Sequence, residues 1–216
     1  MKLKSLLLTT LFALSSTAFS QQVISLPAPD MSAPSTSVID ALKTRHSTRE
    51  FAPTAFTNQE LSNLCWAACG MSRDDKHRTA PTAMNRQEIR LFVFTDKAVY
   101  EYDAPHNQLL RKAEGDHREL LASNGENKGF KQEFVLTAPV TLLMVIDFDI
   151  FKMQGEKAVQ MGCVDAGIVC ENINLYCQAV GLVTVPRATH DANGIRKLLK
   201  LTEMQMPIMN NPVGKP

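Results

Sequence analysis

Residues 45–49 combine side chains that bind a phosphate group well. The segment reads Arg45, His46, Ser47, Thr48 and Arg49, and on an extended backbone the side chains at every second position point to the same side. Arg45, Ser47 and Arg49 would then present two guanidinium groups and a hydroxyl to one ligand, an arrangement suited to a phosphate. Charged residues at the end of a helix also serve simply to offset the helix dipole, so the spacing alone leaves both interpretations open.

Residues 78–87 form a second candidate site, which suits a flat ligand. Their sequence is R-T-A-P-T-A-M-N-R-Q, and its small residues and rigid Pro81 let the backbone approach a ring closely. Asn85 can both donate and accept hydrogen bonds, although an ordinary connecting loop would have the same composition. The N–H groups of a tight turn at residues 181–184 can face an electron-rich ring edge, and Lys215 adds a cation.

Composition and missing motifs exclude several classes of protein. The 216 residues include 23 Lys+Arg and 22 Asp+Glu, and 44% are hydrophobic, which is typical of a globular chain without a broad positive surface for nucleic acid or membrane. The sequence contains no G-x-S-x-G, H-E-x-x-H, phosphate-loop or G-x-G-x-x-G motif. It also has no C-x-x-C and no histidine pair with ligand spacing, so we expect no metal site.

Taken in order, these segments resemble the FMN-dependent nitroreductase family over residues 37–216. Four ordered motifs carry the resemblance: R-x-S-x-R at residues 45–49, R-T-A-P-S-A-x-N-x-Q at 78–87, D-x-G…N…G-L at 165–182, and P-x-G-Y-P at 212–216. Thr82 stands where the family has serine, and Lys215 where it has tyrosine. The stretch of residues 99–116, followed by A-P-V at 138–140, is most similar to the branch that includes the azoline oxidases.

The resemblance implies an α+β fold, a homodimer with FMN at the interface, and electron transfer through the flavin without a catalytic residue of the protein. Arg49 would lie near the N1/O2 edge of the ring and stabilise negative charge on the reduced flavin. Arg45 and Ser47 would hold the phosphate, with Lys215 supplementing it, and His46 is a further cofactor-binding residue. Val183 and Thr184 would place backbone groups beside N5/O4, and the ring would be covered from the partner chain by Pro81, Thr82, Ala83 and Asn85.

The function implied is an oxidoreductase with small-molecule donors and acceptors. It would take electrons from NADH, NADPH or another donor and pass them through FMN to nitroaromatic, quinone or similar acceptors. The alternative is an exported flavin-fold protein that binds or interacts without efficient turnover, because NAD(P)H is not expected to be plentiful outside the cytoplasm. Retention of Arg45, Ser47 and Arg49 favours the enzyme, since a degenerate site would be free to lose them.

The first twenty residues have the three parts of a secretory signal peptide. Lys2 and Lys4 precede an apolar stretch at residues 6–14, and A-F-S at 18–20 forms a small-x-small cleavage site. A buried helix or membrane anchor is the alternative, but the apolar run is shorter than the ~20 residues that span a bilayer. We therefore expect a signal peptide at 1–20, an extended proline-containing arm at 21–36 and a flavin domain at 37–216. We expect the mature protein to be periplasmic and to have no stable insertion in the membrane.

The five cysteines cannot all pair within one chain because their number is odd. Cys65 and Cys69 are four residues apart, and Cys163, Cys170 and Cys177 recur every seven residues. Each group therefore lies along one side of a predicted helix. We expect five reduced, buried thiols.

Hydrophobic periodicity predicts helices and strands in irregular alternation, with a hairpin in the middle. This order favours a mixed sheet flanked by helices, an α+β sandwich, over a parallel doubly wound fold. Thr57 and Glu60 predict a capping box at the start of one helix. The predicted elements are helices near 38–45, 58–68 and 192–200, an apolar helix at 155–180, strands at 89–95, 99–102, 109–111, 140–148 and 182–185, and an extended segment at 204–213.

We predict that protein isolated from its native host begins at Gln21, because the signal peptidase would cut after the small residue Ser20. Intact-mass spectrometry measures this directly. An intact Met1 terminus would contradict the predicted export.

Overall fold

A seven-stranded antiparallel sheet forms the centre of the fold. The computed structural model describes residues 22–125 and 129–216, so the predicted signal peptide lies outside the described residues. The strands follow the order β1-β4-β3-β2-β5-β7-β6 across the sheet. They are β1 (Val23–Ser25), β2 (Ile89–Phe94), β3 (Ala98–Asp103), β4 (Gln108–Glu114), β5 (Val140–Asp147), β6 (Val183–Thr184) and β7 (Gln205–Gly214).

Helices cover both faces of this sheet, which confirms the predicted α+β class. The three four-residue helices α3, α4 and α5 were not predicted, because so short a segment shows no helical period. The helices are α1 (Val38–Thr44), α2 (Asn58–Cys69), α3 (Glu119–Ala122), α4 (Phe134–Thr137), α5 (Phe148–Phe151), α6 (Glu156–Ala179) and α7 (Ala192–Leu199).

Strand β5 shows why its sequence is a continuous apolar run. All eight of its residues are buried, and alternate side chains point to opposite faces of a sheet. Leu142, Met144 and Ile146 pack in the cluster that includes α2 and α6, whereas Leu143 and Val145 pack with α3, α4 and α7. Two covered faces require apolar residues at both sets of positions.

Helix α2 begins and ends where the sequence predicts. The Thr57 hydroxyl accepts a hydrogen bond from the Glu60 N–H, and the Glu60 carboxylate accepts one from the Thr57 N–H, so the capping box is present. At the other end, a Cβ on Gly70 would lie 2.6 Å from Cα of Trp66. Only glycine allows this close approach of the chain to the last turn.

The N-terminal arm is extended, as predicted, but part of it joins the sheet. Strand β1 pairs with β4 in the register Ile24 to Leu109, and the Thr36 N–H donates to the Ala179 carbonyl at the end of α6. Within the single chain, helix α6 is not covered on every side, since Val164 is 63% exposed. Within the described residues, no helix combines the length and apolarity needed to cross a membrane.

The cysteine prediction is confirmed in part. All five thiols are free, and Cys65, Cys69, Cys170 and Cys177 are buried. Cys163 is half-buried, so the expectation of five buried thiols is wrong at this position, which adjoins the exposed Val164 on α6.

We predict that at most one thiol reacts quickly with a thiol reagent in the native protein. Burial raises the pKa of Cys170 to about 11 and raises the pKa of the Cys65 and Cys177 thiols as well, so the reactive thiolate is scarce at neutral pH. Titration after anaerobic unfolding should find five thiols. Fewer than five, or fast reaction of several native thiols, would contradict the prediction.

Candidate functional site

Residues 45–49 leave α1 in an extended conformation and run beside strand β6. The Thr48 N–H donates to the Thr184 carbonyl at 3.0 Å, and the Ala52 N–H donates to the Lys215 carbonyl at 2.9 Å. These two backbone contacts bring together three segments that the sequence singled out separately, which are residues 45–49, β6 and the stretch around Lys215.

Two polar side chains of this segment are available to a ligand. Arg45 is half-buried and Ser47 is exposed, and among the described residues neither side chain has a hydrogen-bond or ion-pair partner. His46 is exposed and its Nδ1 lies 2.9 Å from the Thr44 carbonyl oxygen. The exposed Arg49 places its guanidinium carbon 5.9 Å from the centre of the Phe134 ring.

A further arginine, which the sequence reasoning missed, lies on the same ring. Arg187 is only 7% exposed, and its guanidinium carbon lies 5.6 Å from the centre of the Phe134 ring. It follows β6 in the stretch V-P-R, where a single cation after a short strand carries no pattern that predicts a site.

Together these donors fit an anionic ligand. No carboxylate within residues 22–125 and 129–216 forms an ion pair with Arg45, Arg49 or Arg187. Guanidinium groups without an acidic partner favour binding of an anion, and their planar donors match a phosphate well. The residues present therefore fit a phosphate-bearing cofactor such as FMN.

Three other predicted residues already have partners in the protein. Lys215 Nζ lies 2.7 Å from Glu60 Oε1, so it would have to leave this carboxylate to reach a phosphate. The Thr184 side chain is buried and its hydroxyl donates to the Pro212 carbonyl at 2.7 Å. The Thr184 carbonyl accepts the Thr48 N–H. The half-buried Val183 pairs with Gly214 of β7.

The loop of residues 81–85 is held in a strained shape. Met84, Asn85 and Gln87 have φ values of 55°, 51° and 57°, a region that costs energy for side chains other than glycine and is tolerated best by asparagine. The Gln87 N–H donates to the Thr82 hydroxyl, and the Ala83 N–H donates to Asp165 Oδ2, both at 2.8 Å. Such strain persists where neighbouring contacts fix the backbone, and it is common at ligand sites.

This loop and residues 45–49 are held by different elements. The loop is attached to α6 through Asp165, whereas residues 45–49 are attached to β6 through the Thr184 carbonyl. Within the described chain, no hydrogen bond joins the loop to residues 45–49. A cavity of about 700 Å³ lined by Phe51, Phe56 and Tyr100 contains neither segment.

Glu88 is a second residue that the sequence reasoning missed. It is fully buried at the start of β2, and neither carboxyl oxygen has a hydrogen-bond partner among the described residues. Burial, followed by the neighbouring Asp165 carboxyl, raises the pKa of Glu88 to about 7, while Arg78 acts in the opposite direction. Burial beside a second acid favours the protonated form of Glu88, while Asp165 Oδ2 accepts the Ala83 N–H. The sequence signal for such a group is a single acidic residue directly before a mostly apolar strand.

We predict that Glu88→Gln flattens the pH dependence of stability. A folded-state pKa of about 7, above the ordinary value of 4.5, means that stability is present below pH 4.5 and is lost as the pH rises towards 7. Glutamine has nearly the same size and does not ionise. Thermal unfolding from pH 5 to 8 should show a smaller fall in Tm for Glu88→Gln than for the unmodified protein. Exposed Glu114→Gln is the control, and equal pH profiles for Glu88→Gln and the unmodified protein would contradict the raised pKa of Glu88.

Comparisons with known proteins agree with this architecture. The sequence profile of the Nitroreductase family matches residues 42–215. A nitroreductase homologue from Methanocaldococcus jannaschii is 27% identical over 185 residues, which cover 82% of this chain and 89% of that protein. A nitroreductase crystal structure from Ralstonia eutropha JMP134 is 30% identical with a TM-score of 0.79, covering 91% of this chain and 90% of that one.

A more distant structure has the same fold. It is the NADPH:FMN oxidoreductase of Vibrio harveyi complexed with NAD⁺, which is 18% identical with a TM-score of 0.61 and covers 83% of this chain and 68% of its own. The profile match and the Ralstonia structure together decide the classification. This chain belongs to the nitroreductase family, a family of flavin-dependent oxidoreductases.

Proposed function

We propose that this protein is an FMN-dependent oxidoreductase that moves electrons from a reduced nicotinamide or another donor to nitroaromatic, quinone or similar acceptors. The observation that carries the proposal is the set of three arginines, Arg45, Arg49 and Arg187, gathered beside β6 without an acidic partner among the described residues. The Vibrio harveyi relative, an NADPH:FMN oxidoreductase solved with NAD⁺, supports both the cofactor and the nicotinamide donor.

The protein's own residues would bind and orient the cofactor. Arg45 and Ser47 would hold the phosphate with a guanidinium fork and a hydroxyl, and Arg49 would offer its positive charge to the ring. The backbone contact from Thr48 to Thr184 fixes the direction in which these side chains project. Bound FMN supplies the hydride chemistry, so the protein needs no nucleophile.

We further propose a homodimer in which each flavin site takes residues from both chains. Helix α1 exposes Val38 at 67%, Ile39 at 71% and Leu42 at 55%, an apolar face typical of a surface that another protein covers. Met84 in the loop and Val164 on α6 are also exposed, at 59% and 63%. Among the described residues no hydrogen bond joins the loop to residues 45–49, which supports a site that the partner's loop completes.

We also propose that the protein acts in the periplasm after removal of residues 1–20. The basic start, short apolar stretch and small-residue cleavage site support export.

Anaerobic stopped-flow mixing of the FMN-loaded protein with NADH, NADPH and artificial donors tests the proposed turnover. Loss of the oxidised flavin absorbance on mixing, and its return when a quinone is added, is the expected result. Stable binding of FMN without reduction by any donor would favour the alternative of a binding protein without efficient turnover.

We predict that Arg45→Ala loses FMN whereas Arg49→Ala keeps much of it. Removing a buried charge partner costs about 2–4 kcal/mol, or a roughly thirty- to several-hundred-fold weaker affinity. Arg49→Ala should instead lower the reduction potential of the flavin, by about 30 mV for each ~1.4 kcal/mol lost. Lys43→Ala, two residues from Arg45 on exposed α1, is the matched control. Equal loss of FMN in both arginine variants would contradict this division of roles.

We predict a dimer at micromolar concentration, because an obligate interface of about 2,000 Å² or more leaves no stable folded monomer. Ile39→Asp should shift sedimentation towards the monomer and weaken FMN binding together, since it places a charge on the apolar face of α1. A folded, FMN-loaded monomer of the unmodified protein would contradict the prediction.

A further inference from the structure

Arg187 is held rigidly by neutral groups. Its Nε donates to Gln132 Oε1 at 2.6 Å, and its Nη1 donates to Asn210 Oδ1 at 2.5 Å. Its backbone exchanges two hydrogen bonds with Asn210, at 2.9 and 2.7 Å. Asn210 is fully buried and its own amide donates to the Thr189 carbonyl. The guanidinium is thus fixed at one place behind the Phe134 ring.

The positive charge of Arg187 has no acidic partner among the described residues. Its third nitrogen, Nη2, is enclosed there without a hydrogen-bond acceptor. Burial, and then the charge of Arg49, lowers the pKa of Arg187 to about 10, so the group stays protonated at neutral pH. A buried cation without an acid partner is energetically unfavourable. A charge kept in the protein at this cost indicates a function for Arg187.

Arg49 is the group through which this charge can act on a ligand. Both guanidinium groups lie on the Phe134 ring, at 5.6 Å for Arg187 and 5.9 Å for Arg49, and only Arg49 is exposed. The aromatic face offsets part of the repulsion between the two cations. The remainder would be relieved when a negative charge is placed beside Arg49.

The proposed function supplies such a charge. A hydride carries two electrons and one proton, so a neutral flavin that accepts a hydride from the donor gains one net negative charge. Because Arg187 is enclosed, it cannot touch the flavin ring, and its effect on the flavin would be electrostatic. A cation that is fixed in advance in a buried position favours a charge that develops nearby, and little reorganisation is needed.

We propose that Arg187 is a positioning residue of the flavin site, whose unpaired charge acts through Arg49 to favour the anionic reduced flavin over the neutral oxidised form. This inference rests on the proposed function. It assigns to an enclosed residue, which does not itself contact the flavin, a part in setting the reduction potential.

The test compares oxidised and reduced FMN on three variants. Arg187→Met removes the charge but keeps a long side chain, and Gln132→Glu leaves Arg187 in place while giving its Nε a carboxylate partner. Arg90→Met is the matched control, because Arg90 also lies on an aromatic ring, 5.3 Å from the centre of Phe92, but is paired with Glu101 and Asp147. The readouts are the dissociation constants of both FMN forms and the midpoint potential.

Arg187→Met and Gln132→Glu should each bind oxidised FMN nearly as the unmodified protein does but reduced FMN about tenfold more weakly. A tenfold change equals a midpoint potential about 30 mV lower, and Arg90→Met should leave the potential unchanged. Unchanged potentials in both test variants, or equal weakening of both FMN forms, would overturn the inference, and if Arg187→Met does not fold, Gln132→Glu decides alone. Failure of the unmodified protein to bind FMN would instead show that the proposed function is wrong, and the inference would fall with it.

Discussion

Thr184 connects residues 45–49 to strand β7 and to helix α6, and the relative position of these three segments depends on this one buried residue. Its carbonyl accepts the Thr48 N–H, its hydroxyl donates to the Pro212 carbonyl, and the same hydroxyl accepts from the Asn211 amide at 3.3 Å. Asn211 in turn donates to Asn174 on α6 at 3.0 Å. Because buried polar groups must keep their partners, residues 45–49, β7 and α6 cannot shift independently of one another.

The candidate site contains a pair of acids and a pair of cations, and each pair brings groups of like charge together. Near the loop of residues 81–85, Glu88 and Asp165 bring two acids together in a buried place, and one proton relieves their repulsion. Beside Phe134, Arg49 and Arg187 bring two cations together, and an arginine does not readily give up its proton. The acidic pair can therefore lose its repulsion by binding a proton, whereas the cationic pair cannot, and no acid in the described part of the chain is paired with it.

Elements with strong local signals were predictable from sequence. The capping box at Thr57 and Glu60, the apolar run that becomes β5, and the long helix α6 were all recognisable. The short helices α3 to α5 and strand β1 were not, since a few residues show no period and β1 is defined only by its pairing with β4.

The site was predictable to the extent that it lies in compact motifs. Residues 45–49 and 78–87 are contiguous, so their donors could be proposed from spacing and resemblance. Arg187 and Glu88 are distinguished by their burial and by neighbours that are distant in the sequence. Neither burial nor such contacts can be read from the sequence. The pairing of Lys215 with Glu60 likewise depends on how β7 packs beside α2.

We propose that residues 45–49 form a phosphate site and not merely the charged end of a helix. Titration of the apoprotein with FMN and with riboflavin, which lacks only the phosphate, separates the two possibilities. Two charge-assisted contacts from Arg45 and Ser47 predict that FMN binds about a hundredfold or more tightly than riboflavin, with a preference that decreases as salt is added. Equal affinities for the two flavins, at any salt concentration, would contradict the account.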